Sequence, residues 1–169
     1  NVYPEELGEN RVIDIYENKN ITNLWHFRYY DSLNEERRHK IMYTTIDGDL
    51  CYFDVFHYLT NSFKVPDIPL FTSVPVAINY RLNSEDCMIF SSPTDSMLVF
   101  TQNHLAKTYD DAPKLVSVCI HYERLFAILE GERNTLVFSA NLDPTAWDYE
   151  LDQAGFIQMV DERGSMCAL

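Results

Sequence analysis

Alternation of apolar and polar residues runs through the middle of this chain, and it restricts the fold more than any other feature. In "NLWHFRYY", Trp25, Phe27 and Tyr29 fall on one side of an extended backbone, and His26, Arg28 and Tyr30 on the other. "VPVAINYRL" does the same: Val74, Val76, Ile78, Tyr80 and Leu82 share a face, and Pro75 marks a beginning or an edge. A period of two is wrong for an amphipathic helix and right for strands with one buried face.

Turn sequences punctuate the chain at short intervals. They are "DGD" at Asp47 to Asp49, "NSED" at Asn83 to Asp86, "SSPTD" at Ser91 to Asp95 and "EGER" at Glu130 to Arg133. The segments between them read as about eight strands, at residues 22–30, 41–46, 50–59, 71–82, 86–91, 96–102, 115–129 and 134–140. "LFAILEGERNTLVFSA" has the form of a hairpin, two apolar runs around a glycine-bearing loop.

One helix is expected near the end. Asp143 can cap it, Pro144 suits its first turn, and Trp147, Leu151 and Ala154 recur at helical spacing; Gly155 weakens its later part and Gly164 stops it. No internal repeat or linker stands out, so the 169 residues are expected to form one domain. Sequential antiparallel strands followed by a helix fit an all-β protein. The expected form is an eight-stranded up-and-down barrel with the helix packed outside, since closure removes exposed sheet edges. A β-sandwich is the alternative.

Charge narrows the partners. Twenty-six acidic residues against 13 basic ones leave a net charge of -13, which repels phosphate backbones and anionic membranes. Nucleic acid is therefore not an expected partner. No apolar run approaches the ~20 residues of a membrane span, and "NVYPEELGEN" lacks the pattern of a signal peptide, so a secreted protein would be seen here in its mature form, without membrane insertion and as a monomer.

Cys51, Cys87, Cys119 and Cys167 are isolated, with no CxxC pair for zinc or redox chemistry, so no metal and no cofactor are expected. An even number of single cysteines suits two disulfides and an oxidising, extracellular location; free buried cysteines are the alternative. Asn20 in "NIT" agrees with that location as a glycosylation acceptor. Four cysteines allow three connectivities. A tail running back across a barrel after a surface helix favours Cys51–Cys167 with Cys87–Cys119.

"EDCMIFSSP" (Glu85 to Pro93), then "KTYDDAPKLVSVCIHYERL" (Lys107 to Leu125), then a cysteine close to the C-terminus resemble the tick salivary lipocalins of the histamine-binding-protein family. The matching positions are Cys87 with Phe90, Tyr109 with Asp110 and Pro113, Cys119, and Cys167, so the resemblance covers roughly the second half. It implies a secreted barrel that binds a small ligand and modulates host inflammation or immunity. Members of that family sequester histamine or leukotrienes, block complement, or, in the japanin-like group, alter dendritic cells while carrying a sterol.

No nucleophile elbow, phosphate-binding loop, HExxH or GxGxxG is present, and His26, His39, His57, His104 and His121 are scattered singly, so catalysis is not expected. The faces assigned to a barrel interior are apolar and aromatic: Trp25, Phe27, Tyr29, Val76, Ile78, Tyr80, Met97 and Val99. Trp25 also suits the plug of a barrel floor. A cavity walled by these side chains suits a sterol, fatty acid or eicosanoid, with a biogenic amine such as histamine as the alternative ligand. A second class of function places the activity on surface loops that bind a host immune-cell or plasma protein. "TNSFKVPDIPLFTSVP" (Thr60 to Pro75), with Phe63, Ile68, Leu70 and Phe71, is then either an apolar patch or a lid over the barrel mouth.

Overall fold

A computed structural model describes residues 15–55, 62–151, 153–159 and 166. They form three antiparallel sheets of four strands, each sheet a meander in chain order. Sheet I contains β1 (Ile21–Asp31), β2 (Glu36–Thr45), β3 (Leu50–Asp54) and β4 (Phe63–Lys64). Sheet II contains β5 (Val76–Leu82), β6 (Glu85–Ser91), β7 (Met97–Thr101) and β8 (Ala106–Tyr109). Sheet III contains β9 (Leu115–His121), β10 (Arg124–Leu129), β11 (Thr135–Phe138) and β12 (Gly155–Gln158).

Sheet II lies between the other two, and its composition requires this. The runs "CMIF" in β6 and "MLVF" in β7 are apolar on both faces, so each face needs a cover. Met88, Phe90, Leu98 and Phe100 pack with Phe27, Tyr29 and Met42 of sheet I. Cys87, Ile89, Met97 and Val99 pack with Leu125, Ala127 and Val137 of sheet III. Truncating Phe90, which is fully buried, would forfeit about 3–5 kcal/mol.

This architecture corrects the barrel. Among the described residues β4 does not pair with β5, nor β8 with β9; Pro66, Pro69 and Pro75 lie in the first connection and Pro113 in the second, where they cannot donate to a ladder. A barrel wall also has one interior face, whereas β6 and β7 have two buried ones. The three sheets share one plan, a four-stranded antiparallel meander, although their third strands begin at the unevenly spaced residues 50, 97 and 135.

The expected helix is absent from the described residues. Asp143 and Pro144 start a turn instead: the Asp143 Oδ1 accepts the Thr145 N–H (2.9 Å) and Oγ1–H (2.7 Å), and a second such turn forms at Asp148, whose Oδ1 accepts the Glu150 N–H (2.8 Å). Trp147 is buried on the core between sheets II and III while Leu151 is 82% exposed, so the apolar residues at helical spacing share no face. Gly155 opens β12, where the Phe138 ring occupies the space a side chain would need.

The expected run 115–129 is two strands, broken at Tyr122 and Glu123, both of positive φ (45° and 60°) as a tight hairpin turn requires. Gly48 (φ +85°) closes the β2–β3 turn; a Cβ there would collide with the Phe71 carbonyl oxygen. That contact seats the 65–75 connection on the molecule. Phe71 and Val65 are buried in the sheet I–II core, whereas Phe63 and Leu70 remain exposed.

Lys40 of β2 is fully buried in the same core, and its Nζ has no hydrogen-bond partner among the described residues. It lies 3.8 Å from the centre of the Tyr29 ring and 5.9 Å from that of Phe27, which return part of the lost hydration as cation–π attraction. Burial pushes its pKa down to about 8, opposed by the charge of Asp54. The unfolded chain keeps this proton up to about 10.5, so between these values unfolding takes up a proton and stability climbs with pH. Tyr29 acts oppositely above about pH 10, because burial raises its pKa to about 12. Lys40 therefore contributes a rise of about 2 kcal/mol in stability from about pH 7 to about pH 9.5, opposed toward the upper end by the buried thiols of Cys51 and Cys87, whose pKa values are raised. Lys40→Met should remove that contribution, so that its stability falls relative to the parent by about 2 kcal/mol over this range in denaturant unfolding, and should add about 1–2 kcal/mol at neutral pH. A variant that is less stable at neutral pH, or that keeps the parent's slope, contradicts this account.

Candidate functional site

β1 of sheet I meets both β6 and β5 of sheet II, and β5 meets β9 of sheet III, so β1, β5 and β9 converge. At one end of this convergence is an open cleft of about 660 Å³. Arg28 comes from β1; Asn79, Tyr80 and Arg81 from β5; Asn83 and Ser84 from the β5–β6 turn; Asp86 from β6; Ile120 from β9; Glu123 from the β9–β10 turn; and Leu142 from beyond β11. Asn83 and Ser84 (φ 50° and 69°) and Tyr122 and Glu123 (45° and 60°) make the two tight turns that frame it.

Side chains, not a further strand, satisfy the edge of β1. The Arg28 N–H donates to Asn79 Oδ1 (3.1 Å), Asn79 Nδ2 donates to the His26 carbonyl (2.9 Å), and the Tyr30 N–H donates to Asp86 Oδ2 (2.7 Å). Sheets I and II are thereby joined at the back of the cleft by polar bonds. The Tyr80 hydroxyl donates to the Glu123 carbonyl (2.7 Å), which joins sheet II to sheet III. Burial and the nearby Glu123 charge raise the Tyr80 pKa to about 12.

Four cations outside the cleft hold acids, whereas Arg37, Lys40, Lys107, Lys114 and Arg124 form no ion pair among the described residues. Lys19 and Lys64 hold the buried carboxylate of Asp49 (2.7 and 2.5 Å), Arg38 pairs with Asp31 (3.0 Å) and Glu36 (2.8 Å), and Arg133 with Glu130 (3.1 Å). Among the described residues, neither Arg28 nor Arg81 has a carboxylate within ion-pair distance; Arg81 makes only a 3.4 Å bond to the Ser84 carbonyl. Both are exposed.

The residues expected to wall one cavity are divided between the two cores. Phe27 and Tyr29 are buried, and Trp25 partly buried, between sheets I and II, with Trp25 edge-on to Phe90 (5.4 Å). Tyr80, Met97 and Val99, with Ile78 packed against them, belong to the core between sheets II and III, and Val76 is half-buried at the start of β5. Of the eight, only Tyr80 also reaches the cleft. Arg28 belongs by alternation to the outward face of β1, and no motif in the sequence marks Asn79, Arg81 or Glu123. Their signal is the pair of polar tight turns "NS" and "YE" after the first strands of sheets II and III.

Disulfides are the other correction. Cys51, Cys87 and Cys119 are free thiols. Cys87 faces the core between sheets II and III, while Cys119, opposite Phe126, points from the far face of sheet III, so a whole sheet separates them. Cys167, its expected disulfide to Cys51, and the end of the chain lie outside the described residues. Asn20, the expected glycosylation position, is exposed. No protein-family model and no curated protein matches this chain.

Two outcomes follow from the geometry. Asn79→Ala removes both amide bonds to β1 and should cost about 1–3 kcal/mol of stability, read by denaturant unfolding; a silent variant would show the β1 edge to be satisfied by water. Burial raises the pKa of Cys51 to about 11 and of Cys87 to about 12, so neither should react with iodoacetamide in the folded protein at mildly alkaline pH. Rapid alkylation of Cys87, or a Cys87–Cys119 peptide in a non-reduced digest, would contradict the placement.

Proposed function

We propose that this protein is a non-catalytic interaction module, built from stacked sheets in the manner of β-propeller blades, that receives a segment of a partner polypeptide in the cleft where β1, β5 and β9 converge. Four-stranded meanders in chain order, with their first strands innermost, are the construction of propeller blades. The observation that carries the reading is that three separate sheets deliver their first strands and adjoining turns to one polar cleft. A site on rigid strands framed by tight turns is preorganised for recognition.

The chemistry of the cleft supports binding over catalysis. Its buried hydroxyl, Tyr80, is committed to a carbonyl and has a pKa raised to about 12, and among the described residues no histidine or thiol lines the cleft to activate a nucleophile. Of the two classes of function expected from the sequence, the surface-interaction class suits this fold, because the aromatic residues assigned to a lipid cavity pack as two cores.

Selection of peptides from a displayed random library, followed by mapping on the protein's backbone amide spectrum, tests the proposal. Selected peptides are expected to shift the amides of Arg28, Tyr80, Ile120 and Glu123, and Ile120→Trp, which fills the cleft from an exposed strand position, should weaken them about tenfold or more. Peptides that bind elsewhere, or that are indifferent to Ile120→Trp, would overturn it.

A further inference from the structure

We infer that His26 and His39 form a chelate for one exchangeable divalent transition-metal ion on the outward face of sheet I. The pair lies outside the cleft lining. The two histidines stand apart in the sequence, and the β1–β2 hairpin brings them together. His26 is opposite Ile41 and His39 is opposite Arg28, so the histidines are diagonal neighbours on one face. His26 Nε2 and His39 Nδ1 are 2.8 Å apart. The rings are nearly parallel (18°) with centres 4.9 Å apart, so their nitrogens meet rather than their faces. Both backbones are held from outside the hairpin: the His26 carbonyl accepts from Asn79 Nδ2 (2.9 Å) and the His39 carbonyl from the Val55 N–H (3.1 Å). The rings therefore project from fixed positions.

Coordination geometry names the class of ion. Two imidazole nitrogens about 2.0–2.1 Å from one cation stand about 2.9 Å apart at a right angle and about 3.3 Å apart at a tetrahedral angle. The spacing here fits the right angle, which is the geometry of Cu2+ and Ni2+ bound by nitrogen and oxygen. In the hydrogen-bonded pair one facing nitrogen carries a hydrogen and the other a lone pair. A cation needs two lone pairs, so the hydrogen moves to the other nitrogen of its own ring, at an exposed position where water can carry it. Small ring rotations then aim both lone pairs at one point. Burial, with the neighbouring His39 and Arg28, holds His26 below the usual imidazole range, so it meets the ion already neutral at pH 7. Among the described residues no third His, Cys, Asp or Glu completes a metal cluster, so water fills the remaining positions and the ion exchanges readily. Arg28 on the same face opposes the bound charge, which leaves the affinity to the chelate itself.

Calorimetric titration of the full chain with Ni2+ at pH 7, with Mg2+ as the control, tests the site, and paramagnetic broadening of the imidazole resonances locates the ion. Ni2+ is expected to bind at one equivalent and to broaden His26 and His39 first, and Mg2+, which prefers oxygen ligands, not to bind there. His26→Gln and His39→Gln should each weaken Ni2+ about thirtyfold or more, and the double variant little further, because a chelate is lost with either arm. His121→Gln, at an exposed histidine of sheet III, should leave the binding unchanged. Glutamine keeps a polar side chain at these strand positions, and unchanged thermal midpoints confirm that the variants fold. Absence of Ni2+ binding, broadening confined to other histidines, or single variants that bind as tightly as the parent would each overturn the inference. So would a double variant far weaker than either single one, which would show two independent one-nitrogen sites in place of a chelate.

Discussion

Burial of one sheet on both faces is the constraint from which the rest of this structure follows. A run that is apolar on both faces cannot stand at a water boundary, and β6 and β7 carry such runs, "CMIF" and "MLVF". They force sheets I and III into place on either side; β1 keeps the alternation of one face in and one toward solvent, while Tyr43 and Cys51 are buried on the other face of sheet I from Met42. The stacking also decides where polarity collects. With the aromatic residues drawn into two cores, the converging ends of the first strands are left to arginine, asparagine and acidic side chains.

Those strand ends present a second problem, since β1 has a free backbone edge beside sheet II. Asn79 and Asp86 solve it with side chains, which bond to His26, Arg28 and Tyr30 without requiring β1 and β5 to pair. A continuous ladder there would have closed the surface. Side-chain bridges leave the two strands splayed, and the cleft is the space between them. The same residues therefore hold the sheets together and shape what can enter. Lys40 shows the opposite arrangement: a charge with aromatic neighbours and no hydrogen-bond partner among the described residues, held because the sheets around it are fixed by other contacts.

The local pattern of this chain was legible and its assembly was not. Alternation in 22–30 and 76–82 and the turns at Asp47, Asn83 and Glu130 lead directly to β1, β5 and their hairpins, because period and turn chemistry act within a few residues. The break at Tyr122 was missed because both turn residues take a positive φ without glycine or asparagine to announce it. The helix at Asp143 failed because an aspartate before proline caps a single turn as readily as a helix, and burial of Trp147 chose the turn. The decisive misreading concerned "CMIF" and "MLVF". Counted as strands of one barrel they seem ordinary, yet with both faces apolar they already require a sandwiched sheet. Of the cleft, only Tyr80 was singled out for a binding role, because the remaining residues meet through the stacking of separate sheets and share no motif.

Among the described residues, each strand makes its backbone ladders only with strands that adjoin it in the chain, and sheets I and III touch the rest of the molecule chiefly through sheet II. Folding on such a plan needs few distant chain encounters; each meander assembles from local loops, and docking is a nearest-neighbour event. Loss of an outer sheet exposes one face of sheet II but leaves the other interface intact, while loss of sheet II dissolves both. The amides of β6 and β7 are thus the last in the molecule to exchange with solvent, and the outer sheets open by sub-global steps that do not require one another.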